Sequence, residues 1–153
     1  MKSLKVGGER GVSILEMSIV ISILAVLNVI AFPYWDQILD TYRLSTSTGI
    51  LTSDLRLARF DAVKNDYDVR VRSLTSTSYV EERDSAGVWV PLRPAVDLSE
   101  RFWTRGIEIS GWTSPTVFHS DGRAGSPDTL QVENRGEENK RISISASGMV
   151  RQL

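Results

Sequence analysis

The sequence predicts an α+β protein. A long N-terminal helix, transmembrane in its first half and amphipathic in its second, is expected to pack on an antiparallel β-sheet domain. Three observations predict this. The run from Val12 to Phe32 is apolar, with Glu16 its only charged residue. Apolar residues then recur every three or four positions as far as Val63, the period of a helix with one buried face. After Asn65 the period switches to two, between turns rich in glycine and polar residues, as in half-buried strands. The 153 residues suffice for one membrane helix and one compact domain. The balance of 18 Lys+Arg against 19 Asp+Glu gives no overall attraction to nucleic acid or anionic lipid. Cysteine is absent, which excludes disulfides and thiolate metal sites.

The chain opens with Lys2, Lys5 and Arg10 against one acid, Glu9, among three glycines. Such a short basic leader stays on the cytoplasmic side of a membrane. Val12 to Phe32 follows, interrupted mildly by Ser13, Ser18, Ser22 and Asn28. About 20 residues at ~1.5 Å rise cross a ~30 Å hydrocarbon core. A carboxylate inside such a span costs about 2.5–3.5 kcal/mol on insertion scales. Glu16 is therefore either an acid that reaches for the interface or one that has a partner. A secretory signal would place small residues after the apolar run, and Asn28 to Pro33 is a poor site of that kind. Gly11 lies before the run instead. A cut there would leave the whole apolar helix on the mature chain, with a new amine at Val12.

Gly11-Val12-Ser13-Ile14-Leu15-Glu16-Met17 resembles the class III signal of type IV pilins and pseudopilins, which has Gly, usually Phe, then Thr, Leu, Ile, Glu, Leu. Val12 and Ser13 depart from that pattern. Pro33 is the twenty-second residue counting from Val12, where pilins commonly carry a helix-bending proline. The resemblance implies a leader, 1–11, removed by a prepilin peptidase, N-methylation at Val12, and a transmembrane helix over 12–33. It also implies that Glu16 is an assembly contact. Residues one helical turn apart share a face, so Glu16 can pair with the amine of Val12 or with that of a neighbouring subunit.

From Tyr34 the spacing predicts an amphipathic helix over 34–65, with Ile38, Tyr42, Leu51, Leu55, Ala58 and Ala62 on its core face. Gly49, within a Ser/Thr-rich stretch, predicts a break or bend. Ala58-Arg59, Ala62 and Lys64 resemble the end of the long helix in the GspH/FimT group of minor pilins. Strands are then predicted over Val69–Arg72, Ser78–Glu82, Val88–Leu92, Ile107–Ile109, Thr116–Phe118, Thr129–Glu133, Arg141–Ser145 and Met149–Arg151. Together they make an antiparallel β domain over 66–153. Asp84 to Gly87 reads as a hairpin loop. Arg93 to Arg105 reads as a connection with a helical turn at Asp97 to Arg101. The turns at Gly122 and Gly148 resemble those that close the GspH/FimT domain, so the resemblance extends over nearly the whole chain.

Chemistry is sparse. His119, Ser120 and Asp121 are consecutive and cannot converge as a triad, so His119 is expected in a turn. No zinc or calcium ligand spacing occurs, and no metal, cofactor or enzymatic activity is expected. Lys140, Arg141 and Arg151 are the candidate contacts for DNA, which some FimT-type proteins bind. Glu133, Glu137 and Glu138 lie among them, so nucleic acid is not an expected partner. The resemblance thus implies a minor pilin or pseudopilin at or near the tip of a type II secretion pseudopilus or type IV pilus, priming its assembly. Its partners would be the peptidase, other major and minor pilins, and lipid of the bacterial inner membrane, with the C-terminal domain periplasmic. The alternatives are a DNA-binding minor pilin and a plain single-pass anchored periplasmic domain.

Overall fold

The computed structural model describes residues 12–100, 103–112, 114–136 and 138–153, and for residues 31–33 the backbone alone. The chain divides into two units, Met1–Asp36 and Gln37–Leu153. A helix, α1, runs over Ile14–Asn65. In the second unit it buries Leu44, Thr48, Leu51, Leu55, Ala58 and Ala62, alternating steps of four and three that keep one stripe facing inward. Leu51, Leu55, Ala58 and Ala62 lie in the core as their spacing predicts. Ile38 and Tyr42 do not; both are exposed. Extended back from Leu44 by the same steps, the stripe reaches Asp40 or Thr41 and then Gln37, so Ile38 and Tyr42 fall off it. The helix is also unbroken at Gly49. The hydroxyls of Thr48 and Thr52 donate to the carbonyls of Leu44 and Thr48, both at 2.7 Å, which lets polar side chains sit in the core at this point.

Among the described residues nine strands follow: β1 (Val69–Ser73), β2 (Ser78–Ser85), β3 (Val88–Pro91), β4 (Val96–Asp97), β5 (Glu108–Ser110), β6 (Thr116–Phe118), β7 (Asp128–Glu133), β8 (Asn139–Ile144) and β9 (Val150–Gln152). All pairings are antiparallel. One sheet has the order β3-β2-β1-β6, with β4 also paired to β2; the other has the order β5-β7-β8-β9. Val69, Val71, Tyr79 and Phe118 from the first sheet and Ile109, Leu130, Val132, Ile142 and Ile144 from the second share one apolar core with α1. All eight predicted strands are present, and β4 is additional. It lies where a helical turn is expected. Instead, Asp97 accepts bonds at 2.7 Å from both the backbone N–H and the hydroxyl of Ser99. These bonds hold its carboxyl below the ordinary range and fix a tight turn that competes with helix. The β2–β3 loop is just Ala86-Gly87, both at positive φ, as a two-residue hairpin turn requires.

Two polar devices pin the sheets to α1. Arg59 of the helix donates from Nε to the carbonyl of Gly122 at 2.8 Å and from Nη2 to that of Ser147 at 3.2 Å. One guanidinium thus ties together the turn after β6 and the turn after β8. Gly148 sits against it at φ +75°, where a Cβ would lie 2.1 Å from the carbonyl oxygen of Gly122. The second device is Arg93, which bridges Asp61 of α1 at 2.5 Å and Glu81 of β2 at 2.7 Å. The hydroxyl of Tyr79 donates to Asp54 beside them. Burial pushes the Glu81 carboxyl up to about 7 against the pull of Arg93, with Asp54 and Asp61 adding to the rise.

Two outcomes follow from these contacts. Gly148→Ala should destabilise the protein by about 2–4 kcal/mol, combining a left-handed backbone cost with a steric clash. Gly87→Ala, where φ is +84° but nothing lies within 4 Å, should cost only about 1–2 kcal/mol; urea melts followed by tryptophan emission would rank the two. The second outcome concerns pH. The raised carboxyl of Glu81 keeps its proton in the folded chain after the unfolded chain has lost it. Stability is therefore lost as pH rises from the ordinary value of 4.5 to about 7. Glu81→Gln cannot lose that proton. Its stability relative to the parent should rise between pH 5 and pH 8, by on the order of 1–3 kcal/mol. A flat difference in paired melts would show that Glu81 does not titrate in this window.

Candidate functional site

The candidate site begins with the polar groups of the apolar segment. From Val12 to Ile30 every side chain is exposed, Ile14 at 89% and Leu24 at 52%. Three of the polar interruptions, Ser18, Ser22 and Asn28, are satisfied within the helix. Ser18 donates to the carbonyl of Leu15 at 2.9 Å, Ser22 to that of Ser18 at 2.8 Å, and Asn28 to that of Leu24 at 2.7 Å. Such back-bonding suits a helix surrounded by hydrocarbon, where water cannot take these bonds. Glu16 lies in the first turn of α1. It is exposed, and among the described residues no cation pairs with it. Val12 is described and exposed, one turn before Glu16. Gly11 and the rest of the leader lie outside the described residues. At Pro33 the backbone belongs to α1, and its side chain is outside the description.

No single helix among the described residues is long and apolar enough to cross a membrane; Ile14–Ile30 and Tyr34–Asn65 qualify only as a bent pair.

The second sheet separates the three candidate DNA contacts. Arg141 of β8 and Arg151 of β9 face outward, beside Ser143, which pairs with Arg151. Lys140 points to the other face, where its Nζ meets the Ser45 hydroxyl of α1 at 3.2 Å. The outward face also carries Glu108 and Glu133, which pair across β5 and β7. No basic stripe forms there. On the first sheet, Arg70 and Arg72 of β1 converge on Glu82 of β2 at 2.5 and 3.0 Å. The hydrogen bond from Arg72 leads in holding that carboxyl below its ordinary range. Arg70 also lies 4.4 Å over the Trp89 ring, a cation–π contact. His119 occupies a turn, as expected, with its Nδ1 2.8 Å from Asp68. Asp121 instead accepts from the N–H of Arg123 at 2.9 Å, so the three consecutive residues do not converge. Among the described residues, no group of His, Asp and Glu is placed to hold a metal.

Sequence reasoning missed the pinning roles of Arg59 and Arg93. The Ala58-Arg59 pair marks the first as unusual, because an arginine directly follows a core alanine. Nothing local marks Arg93, whose partners are 12 and 32 residues away.

The family described as Type II transport protein GspH matches residues 49–148 of the chain. Among solved structures, the chain is similar to the minor pseudopilin EpsH from the type 2 secretion system of Vibrio cholerae, at 20% identity and a TM-score of 0.60, covering 72% of this chain and 96% of that one. It is similar to the type IV minor pilin FimU of Pseudomonas aeruginosa at 17% identity and a TM-score of 0.60, covering 72% and 87%. It is similar to GspH of E. coli at 21% identity and a TM-score of 0.57, again covering 72% and 87%. At these identities the structures speak to the fold. No match was found among curated proteins. The family match covers most of the chain and includes the Arg59 device with both of its glycine turns, so the chain belongs to the GspH family of minor pilins and pseudopilins.

Proposed function

We propose that the chain works as a structural subunit at or near the tip of its filament, where it primes assembly, and that it is not an enzyme. As a member of its family it is a minor pseudopilin subunit of a type II secretion or type IV pilus system. The proposal concerns how it enters the filament. A prepilin peptidase removes 1–11 by cutting between Gly11 and Val12, and the new amine of Val12 is methylated. Residues 12–33 then hold the chain in the bacterial inner membrane as a single span, with Pro33 bending the helix. Residues 34–65 carry the β domain, 66–153, on the periplasmic side. In the filament, Glu16 pairs with the N-terminal amine of a neighbouring subunit.

One observation carries this proposal. Glu16 is the single charge on an exposed apolar helix whose serine and asparagine side chains from Ser18 to Asn28 are already bonded. Its burial in lipid costs about 2.5–3.5 kcal/mol if it stays alone. Pairing with an amine offsets that cost and sets the register between subunits. The other partners are major and minor pilins and the surrounding lipid. Nucleic acid is not among them, since Lys140 stands on the opposite face from Arg141 and Arg151.

Mass analysis of the membrane form should find a chain that begins at Val12 with one added methyl group. An intact leader would point to the plain membrane anchor instead. Glu16→Ala should still be cut, while its recovery in sheared filaments falls at least about tenfold, the effect of ~1.4 kcal/mol. Undiminished recovery would remove Glu16 from assembly.

A further inference from the structure

The outer face of the second sheet holds charges that the chain itself leaves unpaired. Glu108 of β5 and Glu133 of β7 lie directly opposite each other. Arg141 of β8 and Arg151 of β9 stand on the same face, on adjacent strands. Among the described residues, none of the four enters an ion pair. The register is the reason. Glu133 is opposite Asn139, and Arg141 is opposite Gln131, so acid and base meet only on a diagonal. Glu133 instead accepts from the Ser110 hydroxyl at 2.8 Å. Arg135, in the turn beyond Glu133, packs against Gly106 and leaves that end of the face net negative. Between the acids and the arginines lie Ser110, Thr129, Gln131 and Ser143, all polar.

We propose that this face binds a second copy of the chain, related by a two-fold axis, with the acids of each copy against the arginines of the other. The order of the charges selects this occupant. With strands ~4.8 Å apart and residues ~3.4 Å apart along them, the acid pair lies about 14 Å from the arginine pair. A two-fold axis in the plane of contact, midway between the pairs, places Glu108 over the partner's Arg151 and Glu133 over the partner's Arg141, each to within about 3 Å. The same axis passes through Gln131. Its amide both donates and accepts, so it can bond to its own copy. Ser110 falls beside the partner's Thr129, hydroxyl to hydroxyl. A polyanion or an anionic lipid surface would meet the two acids along with the arginines and match only one sign. Four strands make a face about 15 Å across, below the ~800 Å² per partner of a stable interface. The contact is therefore weak, and salt weakens it further.

The chain has no cysteine, so a single one reports its own position. In the full chain in detergent at low salt, Gln131→Cys, on the axis, should join two copies through a short bismaleimide. Ser85→Cys, at the end of β2 in the other sheet, should not. In the Gln131→Cys chain, reversing the acids (Glu108→Arg with Glu133→Arg) or the arginines (Arg141→Glu with Arg151→Glu) should cut the yield at least about fivefold. Making all four changes together restores the order of charges in reverse and should restore the yield, which separates lost pairing from lost folding. Joining at Ser85→Cys as readily as at Gln131→Cys means random collision. A yield at Gln131→Cys that ignores both salt and reversal means that the apolar helix holds the copies together. No product at Gln131→Cys leaves the face to a partner other than this chain. Each of these results overturns the proposal, as does a fourfold variant that fails to recover. The readouts involve neither the leader nor Glu16, so the function proposed above stands or falls separately.

Discussion

An apolar helix surface with no water-compatible covering sets the terms for this protein. From Ile14 to Ile30 the side chains of α1 are exposed, and a surface of that size cannot remain in water. Lipid and other pilin helices are equally apolar, so hydrophobicity alone does not select between them. Selection must come from the polar groups that remain. Ser18, Ser22 and Asn28 are bonded to their own backbone and ask nothing of a neighbour. Glu16 is the exception. Under the proposed function its charge turns a general tendency to stay out of water into a positional preference.

The β domain solves a different problem, that of holding two sheets against one helix with a narrow apolar stripe. Ala58 and Ala62 supply little area at the end of that stripe, and Ser47, Thr48 and Thr52 interrupt its middle. Charged side chains complete the attachment. Arg59 reaches two turns that are distant in sequence, and Gly122 and Gly148 leave the space it needs. Arg93 joins the helix to β2 through two carboxylates. In pairs of this kind, with the carboxylates buried and the guanidinium partly exposed, the net energy over an apolar substitute is small, yet removing the arginine is costly, because the buried acids lose their partner. Their effect here is to specify which turn meets which helical position.

The sequence reveals the periodic features and hides the single ones. Strands with two or more alternations, such as Val69-Arg70-Val71-Arg72, are legible because each inward residue repeats the signal. The two-residue β4 carries no period at all. Residues at the helix phase, Leu51, Leu55, Ala58 and Ala62, are legible for the same reason. Ile38 and Tyr42 share that spacing locally yet sit off the stripe, because the phase of the buried face is set by the domain and not by their own step of four. Gly49 looks like a break because propensity counts it alone, whereas Leu44 and Leu51 on either side are packed in the core and the helix continues through it. Around Glu16 the residue itself is legible as an energetic cost, and its partner is not, since a partner on another subunit leaves no trace in one chain.

The charged residues show why proximity in sequence misleads in a sheet. Lys140 and Arg141 are neighbours, but strand geometry sends successive side chains to opposite faces. Lys140 therefore serves the helix side, at the Ser45 hydroxyl, while Arg141 faces outward. The same rule places Glu108 and Glu133 with Arg141 and Arg151 on one surface, acids toward the β5 edge and bases toward the β9 edge. Such a surface has little pull on a uniformly charged polymer, because its acidic and basic ends offset each other and salt screens what remains beyond a Debye length of about 8–10 Å. At contact distance the two ends remain distinct. A partner must then match both signs in their proper order, which is a property of folded protein surfaces and not of a phosphate backbone.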